Sequence, residues 1–381
     1  MQKIVIDLLW LRPSKVGGTE SYVRNLLDGF HSLDEDFDFT LLVSLDNVDT
    51  FRHYEKDRRY HILVAEIKSA NIAKRILWQN LFQNRFLRKH GFQHCFEPVY
   101  CKPWLTGGIR YTCVIHDLQA LHYPKYHSFS EAVYSRLCWR MDAINADRIV
   151  TISHWVKSDI VQKYHRNDVE VIYNPVLVKE DEVADFELLK CKYGIEKKQF
   201  FYTVGQLRSH KNLKTLINIM DKIVNNRAQY GDLPEKLLIS GVNGIAAEEL
   251  KGQIKSKNLQ DAVILTGFVS NEERNSLYQN CHTFLFPSIF EGFGMPPVEA
   301  MLFKTRVITT KCTSIPEVTQ GKAVYVNDPF DADEWIDKIR SGQMQETMDF
   351  SVYDPERISK KYLEFLGGKM MLGGADIKAE K

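Results

Sequence analysis

Two glutamates eight positions apart bracket a glycine-rich turn in Pro-Ser-Ile-Phe-Glu-Gly-Phe-Gly-Met-Pro-Pro-Val-Glu-Ala-Met, residues 287–301. An ionised carboxylate only accepts hydrogen bonds, and its two oxygens match a pair of hydroxyls. Glu291, ahead of the turn, is placed to meet the hydroxyls of a sugar. Glu299, inside the helix that begins near Pro296 or Pro297, is placed to meet those of a ribose. Between them Gly292, Phe293, Gly294 and Met295 can offer backbone N–H groups to an anion at a helix N-terminus. The alternative is a tight turn with two solvated glutamates, and the apolar sequence around both carboxylates argues against it.

A second cluster reads Val204-Gly205-Gln206-Leu207-Arg208-Ser209-His210-Lys211. Arg208 or Lys211 can hold a diphosphate and stabilise the charge that grows on it as a leaving group. Cations are disfavoured at the start of a helix unless an anion faces them, so a merely solvated basic loop fits less well. His116 and Asp117 follow an apolar run, Tyr111–Ile115, where a histidine is as often structural as functional. Gly17-Gly18 lets backbone approach a phosphate or an acceptor closely, a weak signal by itself. Neither a Gly-x-Gly-x-x-Gly nor a Walker lysine is present, which argues against dinucleotide oxidoreductases and P-loop enzymes.

The elements that must carry these residues alternate. Strand-length apolar runs fall at Ile4–Leu9, Phe39–Ser44, Ile62–Val64, Tyr111–Ile115, Arg148–Ile152 and Val169–Ile172. Helical stretches fall between them, including Ile72–His90, Phe129–Asn145 and His154–Tyr164. After a charged linker around 175–195 the pattern restarts with strands at Phe200–Val204, Lys236–Ser240, Ala262–Thr266, Thr283–Phe286, Arg306–Thr309 and Ala323–Val326. Strands alternating with helices predict parallel, doubly wound sheets, whose ligands sit at the carboxyl ends of the strands. The 381 residues suit two such domains. The expected division is 1–177 for an acceptor-binding domain and 178–345 for a nucleotide-sugar-binding domain. Residues 346–367 are expected to form a helix crossing back to the first domain, and 368–381 a flexible tail.

Taken in order, these segments resemble the retaining glycosyltransferase family 4, with its GT-B fold. The Glu291-to-Glu299 segment resembles the family's Glu-x7-Glu signature. Gly17-Gly18-Thr19-Glu20 resembles its first glycine-rich loop, Ile115-His116-Asp117 its histidine motif, and Ala146–Ser153 the strand that follows. Val171–Pro175 resembles the domain junction, and Val204-Gly205 through Leu213 the phosphate-binding turn. The match runs from residue 3 to about 330, and the order and spacing are more specific than any one segment.

The resemblance implies two Rossmann-like domains facing a central cleft and retention by same-face attack without a metal. The co-substrate it implies is a UDP- or GDP-linked sugar, with no bound cofactor. It assigns His116, Arg208, Lys211 and Glu291 to the reaction. Donor binding falls to Gly17, Gly18, Gly205, Arg208, Lys211, Glu291, Gly292, Phe293, Gly294, Met295 and Glu299, with the nucleobase near Phe268 and Val269. One departure stands out: an arginine in this family directly follows the glycine or directly precedes the lysine. Here those positions hold Gln206 and His210, and Arg208 between them is the available substitute.

The formal net charge of +1 gives no global field for nucleic acid. The cysteines number seven, with no Cys-x-x-Cys pair, which fits a reduced cytoplasmic setting and excludes closely spaced zinc sites. No apolar run reaches membrane-span length. Residues 68–90 interleave Lys68, Lys74, Arg75, Arg85, Arg88 and Lys89 with Ile76, Trp78, Leu81, Phe82 and Phe86. Such a segment can be a core helix with a basic face, or a contact with an anionic membrane if the acceptor is lipid-linked. Two other functions fit the same residues: a non-catalytic sugar-nucleotide-binding subunit, and a nucleotide-sugar epimerase needing no acceptor.

Overall fold

The computed structural model describes residues 3–13, 17–99, 102–126, 128–241 and 246–368. It contains two parallel sheets. The first joins β1 (Lys3–Asp7), β2 (Asp38–Ser44), β3 (Tyr60–Ala65), β4 (His94–Glu97), β5 (Arg110–Ile115), β6 (Arg148–Thr151) and β7 (Val169–Val171), in the order β3-β2-β1-β4-β5-β6-β7. The second joins β8 (Phe200–Val204), β9 (Lys236–Ser240), β10 (Val263–Gly267), β11 (Thr283–Phe286), β12 (Val307–Thr310) and β13 (Val324–Val326), in the order β10-β9-β8-β11-β12-β13. Every pairing is parallel. Strands such as Phe-Phe-Tyr-Thr-Val in β8 are apolar on both faces because helices cover both.

Each sheet reverses its order beside its first strand, between β1 and β4 and between β8 and β11. A crevice opens at such a reversal, where helices on either side diverge. The glycine loop at Gly17 follows β1, and the 287–295 turn follows β11. Helix α1 (Gly18–Ser32) buries Tyr22, Val23, Leu26, Leu27 and Phe30 along one face. Also used below are α2 (His154–Tyr164), α3 (Asn271–Asn280), α4 (Met295–Leu302) and α5 (Pro355–Leu366).

Three local expectations are refined or corrected. The stretch 72–90 is helical as expected, but it is not a regular α-helix throughout. A π-turn at Gln79–Gln83 separates Ile72–Trp78 from Asn84–Lys89 and turns Gln79 and Gln83 inward. Both reach Asp7: Gln83 Nε2 donates to it at 2.9 Å and Gln79 Nε2 at 3.3 Å. Strand β4 was not expected, because His94 and Glu97 make four residues look polar although all are buried. The charged linker holds a helix, Phe186–Tyr193, capped by Asp185 and ended by Gly194 at φ 61°.

The chain end returns to the first domain. Helix α5 lies on α1, where Tyr22 and Tyr362 hydroxyls are 2.8 Å apart and Ser359 Oγ donates to the Leu26 carbonyl at 3.0 Å. Gly29 of α1 permits the crossing, since a β-carbon there would overlap Pro355 and Ser359. The largest apolar core runs through both sheets' facing layers and α5. Of the 368–381 tail, residues 369–381 lie outside the described residues.

Candidate active site

The 287–295 turn is braced from three sides. Thr313 Oγ1 accepts from the Glu291 N–H at 2.9 Å. Ser314 Oγ is 2.9 Å from the Glu291 carbonyl and 3.0 Å from that of Phe293. The Ile289 N–H donates to the His210 carbonyl at 2.9 Å, tying this turn to the 204–211 loop. Gly294 sits at φ 97°, a left-handed conformation that suits glycine, and caps α4. Pro296 and Pro297 at the start of α4 carry no N–H, so the helix end offers fewer donors than its position suggests. The donors come from the turn. The N–H groups of Gly292, Phe293, Gly294 and Met295 find no acceptor among the described residues.

Lys211 reaches this turn: its Nζ lies 2.5 Å from Glu291 Oε1 and 5.3 Å from the centroid of the Phe286 ring. Its stem passes over Gly205, where a β-carbon would lie 3.6 Å from Lys211 Cε. Arg208 makes no side-chain hydrogen bond or ion pair among the described residues and is close enough to act electrostatically on Asp117. The two positions where the resemblance places arginine are otherwise employed. Gln206 lies against Gly17, its Nε2 about 3.0 Å from where a β-carbon would stand. His210 is buried beneath the turn.

The first domain meets this turn directly. A β-carbon on Gly292 would overlap the His116 carbonyl oxygen, so only glycine allows the approach. Ser153 Oγ donates to the Gly292 carbonyl at 2.8 Å. Glu317 of the second domain takes the first two N–H groups of α2, His154 at 2.7 Å and Trp155 at 3.0 Å. A carboxylate on a helix N-terminus is favourable, and here it latches the two domains. The structure therefore shows a closed cleft.

His116 donates through Nε2 to the Pro98 carbonyl at 2.7 Å, because a carbonyl can only accept. Burial pushes its pKa down to about 4, so at neutral pH Nδ1 keeps a lone pair. The ring is therefore uncharged and able to accept a hydrogen bond. Asp117 is held above the usual carboxylate range by burial, with Glu291 adding to the effect and the Gln119 N–H, Lys211 and Arg208 opposing it. Glu299 is buried in α4, and Tyr278 Oη donates to its Oε2 at 2.9 Å. Arg274 Nε stands 3.6 Å from the same oxygen. Phe268 is 67% exposed at the end of β10, a free face for a base to stack on, while Val269 is buried. Gly17 and Gly18 are exposed at the cleft end of α1, and residues 14–16 of that loop lie outside the described residues.

The cleft thus brings together His116, Asp117, Arg208, Lys211, Glu291 and the 292–295 turn. Arg274 and Tyr278 carry no sequence signal, for they sit in a short, mostly polar helix and meet Glu299 only through packing. Asp7 and Glu97 carry no sequence signal either: both are fully buried and share Gln83, whose Nε2 is 3.2 Å from Glu97 Oε1. Asp-x-Asp triplets occur at Asp34–Asp36, Asp36–Asp38 and Asp331–Asp333. Asp331 caps a helix, and no group of three or more metal-ligating side chains forms among the described residues.

Comparison with known proteins agrees with this architecture. Residues 16–179 match the family described as Glycosyltransferase Family 4, and residues 185–345 match Glycosyl transferases group 1. The chain belongs to the family 4 glycosyltransferases of the GT-B type. It is 31% identical over 232 residues to the O-antigen chain mannosyltransferase RfbU of Salmonella typhimurium, covering 60% of each chain. It is 25% identical over 229 residues to O-antigen chain mannosyltransferase B of Escherichia coli, covering 59% of this chain and 58% of that one. The matched part thus spans about 60% of the length of these curated relatives. The crystal structure of Anabaena Alr3699/HepE in complex with UDP-glucose superposes with a TM-score of 0.72 at 16% identity, over 96% of this chain and 100% of that one. At that identity the likeness is one of fold.

Proposed function

We propose that this chain is a retaining, metal-independent glycosyltransferase. It moves a hexose from a UDP- or GDP-linked donor to a saccharide or lipid-linked saccharide during surface polysaccharide synthesis. The observation that carries the reading is the convergence of Lys211, Glu291 and four unpartnered backbone N–H groups at one turn, closed over by His116 of the other domain. Donors fixed in place around a growing diphosphate charge, with water excluded, stabilise departure of the sugar.

In this reading the diphosphate lies on the 292–295 turn with Lys211 and Arg208, and Glu291 turns from Lys211 to the sugar hydroxyls. His116 Nδ1 accepts from the sugar, Glu299 from the ribose, and Phe268 stacks on the base. A phosphate oxygen takes the acceptor's proton on the face the diphosphate leaves, which preserves the anomeric configuration. The O-antigen mannosyltransferases among the relatives favour mannose as the transferred sugar. The acceptor lies against the first domain at the cytoplasmic face of a membrane. No helix among the described residues is long and apolar enough to cross one. Leu77, Leu81 and Phe82 are exposed beside Lys74, Arg85 and Arg88 and supply a peripheral contact.

A thermal-shift panel of UDP, GDP, ADP and their sugar conjugates without added metal tests the site. Binding raises the melting temperature by mass action. One nucleotide is expected to shift the transition in the wild type and not in Glu299→Ala. No shift with any nucleotide overturns the donor site. Binding without turnover of any saccharide acceptor supports instead a sugar-nucleotide-binding subunit, the reading that Gln206 and His210 at the arginine positions favour. Conversion of the donor with no acceptor present identifies an epimerase.

A further inference from the structure

Arg274 is a cation of the second domain that the mechanism above does not use. It lies in the first half of α3, just beyond the strand end that presents the exposed Phe268. Its Nε is buried and has no hydrogen-bond partner. The nearest anion is Glu299, with Nε 3.6 Å from Oε2, too long for a hydrogen bond. Burying a guanidinium beside a carboxylate without completing a hydrogen bond forfeits solvation at little gain. A buried donor left unmet points to a partner absent from the unliganded protein.

The geometry of Glu299 says where that partner lies. Tyr278 and Arg274 both address Oε2. Oε1 takes no hydrogen bond among the described residues. The carboxylate is therefore oriented through one oxygen and open at the other. Carboxylate and guanidinium are complementary in kind: the first only accepts, the second only donates. A hydroxyl group needs both, since it donates its proton and accepts on its lone pairs.

We propose that Arg274 and Glu299 form a two-sided clamp for the ribose diol of the donor nucleotide, in which the hydroxyls donate to Glu299 and accept from Arg274. This rests on the reading of Glu299 as the ribose carboxylate. It adds a specificity-determining residue and assigns Arg274 the discrimination between ribose and deoxyribose. Tyr278 is a positioning residue, acting only through Oε2.

Calorimetric titration of UDP and GDP and of their 2′-deoxy and 3′-deoxy forms separates the possibilities. The wild type is expected to prefer one ribonucleotide over its deoxy forms by about tenfold or more, as a charge-assisted hydrogen bond commands. Arg274→Met is expected to bring that ratio to within about threefold while changing deoxynucleotide affinity little, with Arg274→Lys intermediate. Equal weakening of both forms in Arg274→Met, or an unchanged ratio, overturns the clamp and leaves Arg274 a support for Glu299. If Arg274→Met fails to fold, Arg274→Lys decides by the same ratio, an unchanged ratio overturning the proposal. A wild type that binds no nucleotide overturns the donor site itself. Binding of the wild type without ribose preference overturns the clamp alone.

Discussion

Lys211 and Glu299 divide the work at the level of single residues. Lys211 faces a charge that grows as the sugar leaves, whereas Glu299 holds hydroxyls that do not change. Lys211→Ala is therefore expected to lower kcat by about a hundredfold or more, the cost of removing one fixed donor at a developing anion. Glu299→Ala is expected to raise the donor KM most and leave kcat closer to the wild type. Steady-state kinetics in donor and acceptor checks both, and equal, negligible effects at the two positions would sink the assignment. Gly292 makes a different demand. Its backbone φ is ordinary, but the His116 carbonyl occupies the space a methyl would need. Gly292→Ala is expected to keep the melting temperature within a few degrees and to cut kcat, because the clash falls on closure of the cleft. Thermal unfolding and turnover, measured together, distinguish this from a folding defect.

At the level of elements, the crossing of α1 and α5 has no room to spare. A methyl at Gly29 would enter the Pro355 backbone and Ser359 side chain, neither of which is the free end of a long chain. Gly29→Ala is expected to cost about 1 to 3 kcal/mol as overpacking, against about 1 kcal/mol for Tyr362→Phe, which deletes one buried hydroxyl contact. Denaturant titration orders the two, and a Gly29→Ala protein as stable as the wild type would show that α5 is free to shift. Much at this scale was readable in advance. Apolar runs such as Phe200–Val204 and Phe39–Ser44 declare buried parallel strands. His94–Glu97 was not readable, since nothing local tells that Glu97 is covered by Gln83 and Asp7. The π-turn at 79–83 was equally hidden, for the two glutamines it turns inward meet their acceptor, Asp7, 72 and 76 positions away.

For the whole molecule, closure and pH response belong together with packing. Glu317 caps α2 from the opposite domain, so Glu317→Ala is expected to open the cleft and enlarge the radius of gyration in solution scattering without melting either domain. An unchanged scattering profile would show that Ser153 and the Gly292 approach suffice. Beneath the first sheet's crevice, burial holds Asp7 and Glu97 above the usual carboxylate range, and the charge of Asp7 adds to the effect on Glu97. Unfolded, both ionise near pH 4. The folded state thus binds the extra protons, and its stability is full below about pH 4 and falls as pH rises toward the folded-state values. Glu97→Gln is expected to become more stabilising, relative to the wild type, as pH is raised from 5 to 8, by at most about 1.4 kcal/mol per unit. A difference that does not vary with pH would show that Glu97 is ionised in place.

Taken alone, the chain's residues determined the alternation of strand and helix, the two-domain division, and the grouping of Glu291, Glu299, Gly205 and Lys211 into short segments with a shared chemistry. These are local properties: periodicity, turn residues and charge within a few positions of one another. The tertiary structure alone decided which groups meet across the cleft. Gly292 against His116, Gln206 against Gly17, Glu317 on α2 and Arg274 beside Glu299 join positions between 25 and 189 apart in number. Such contacts follow from how two sheets and the returning α5 are packed, and spacing along the chain carries no trace of them.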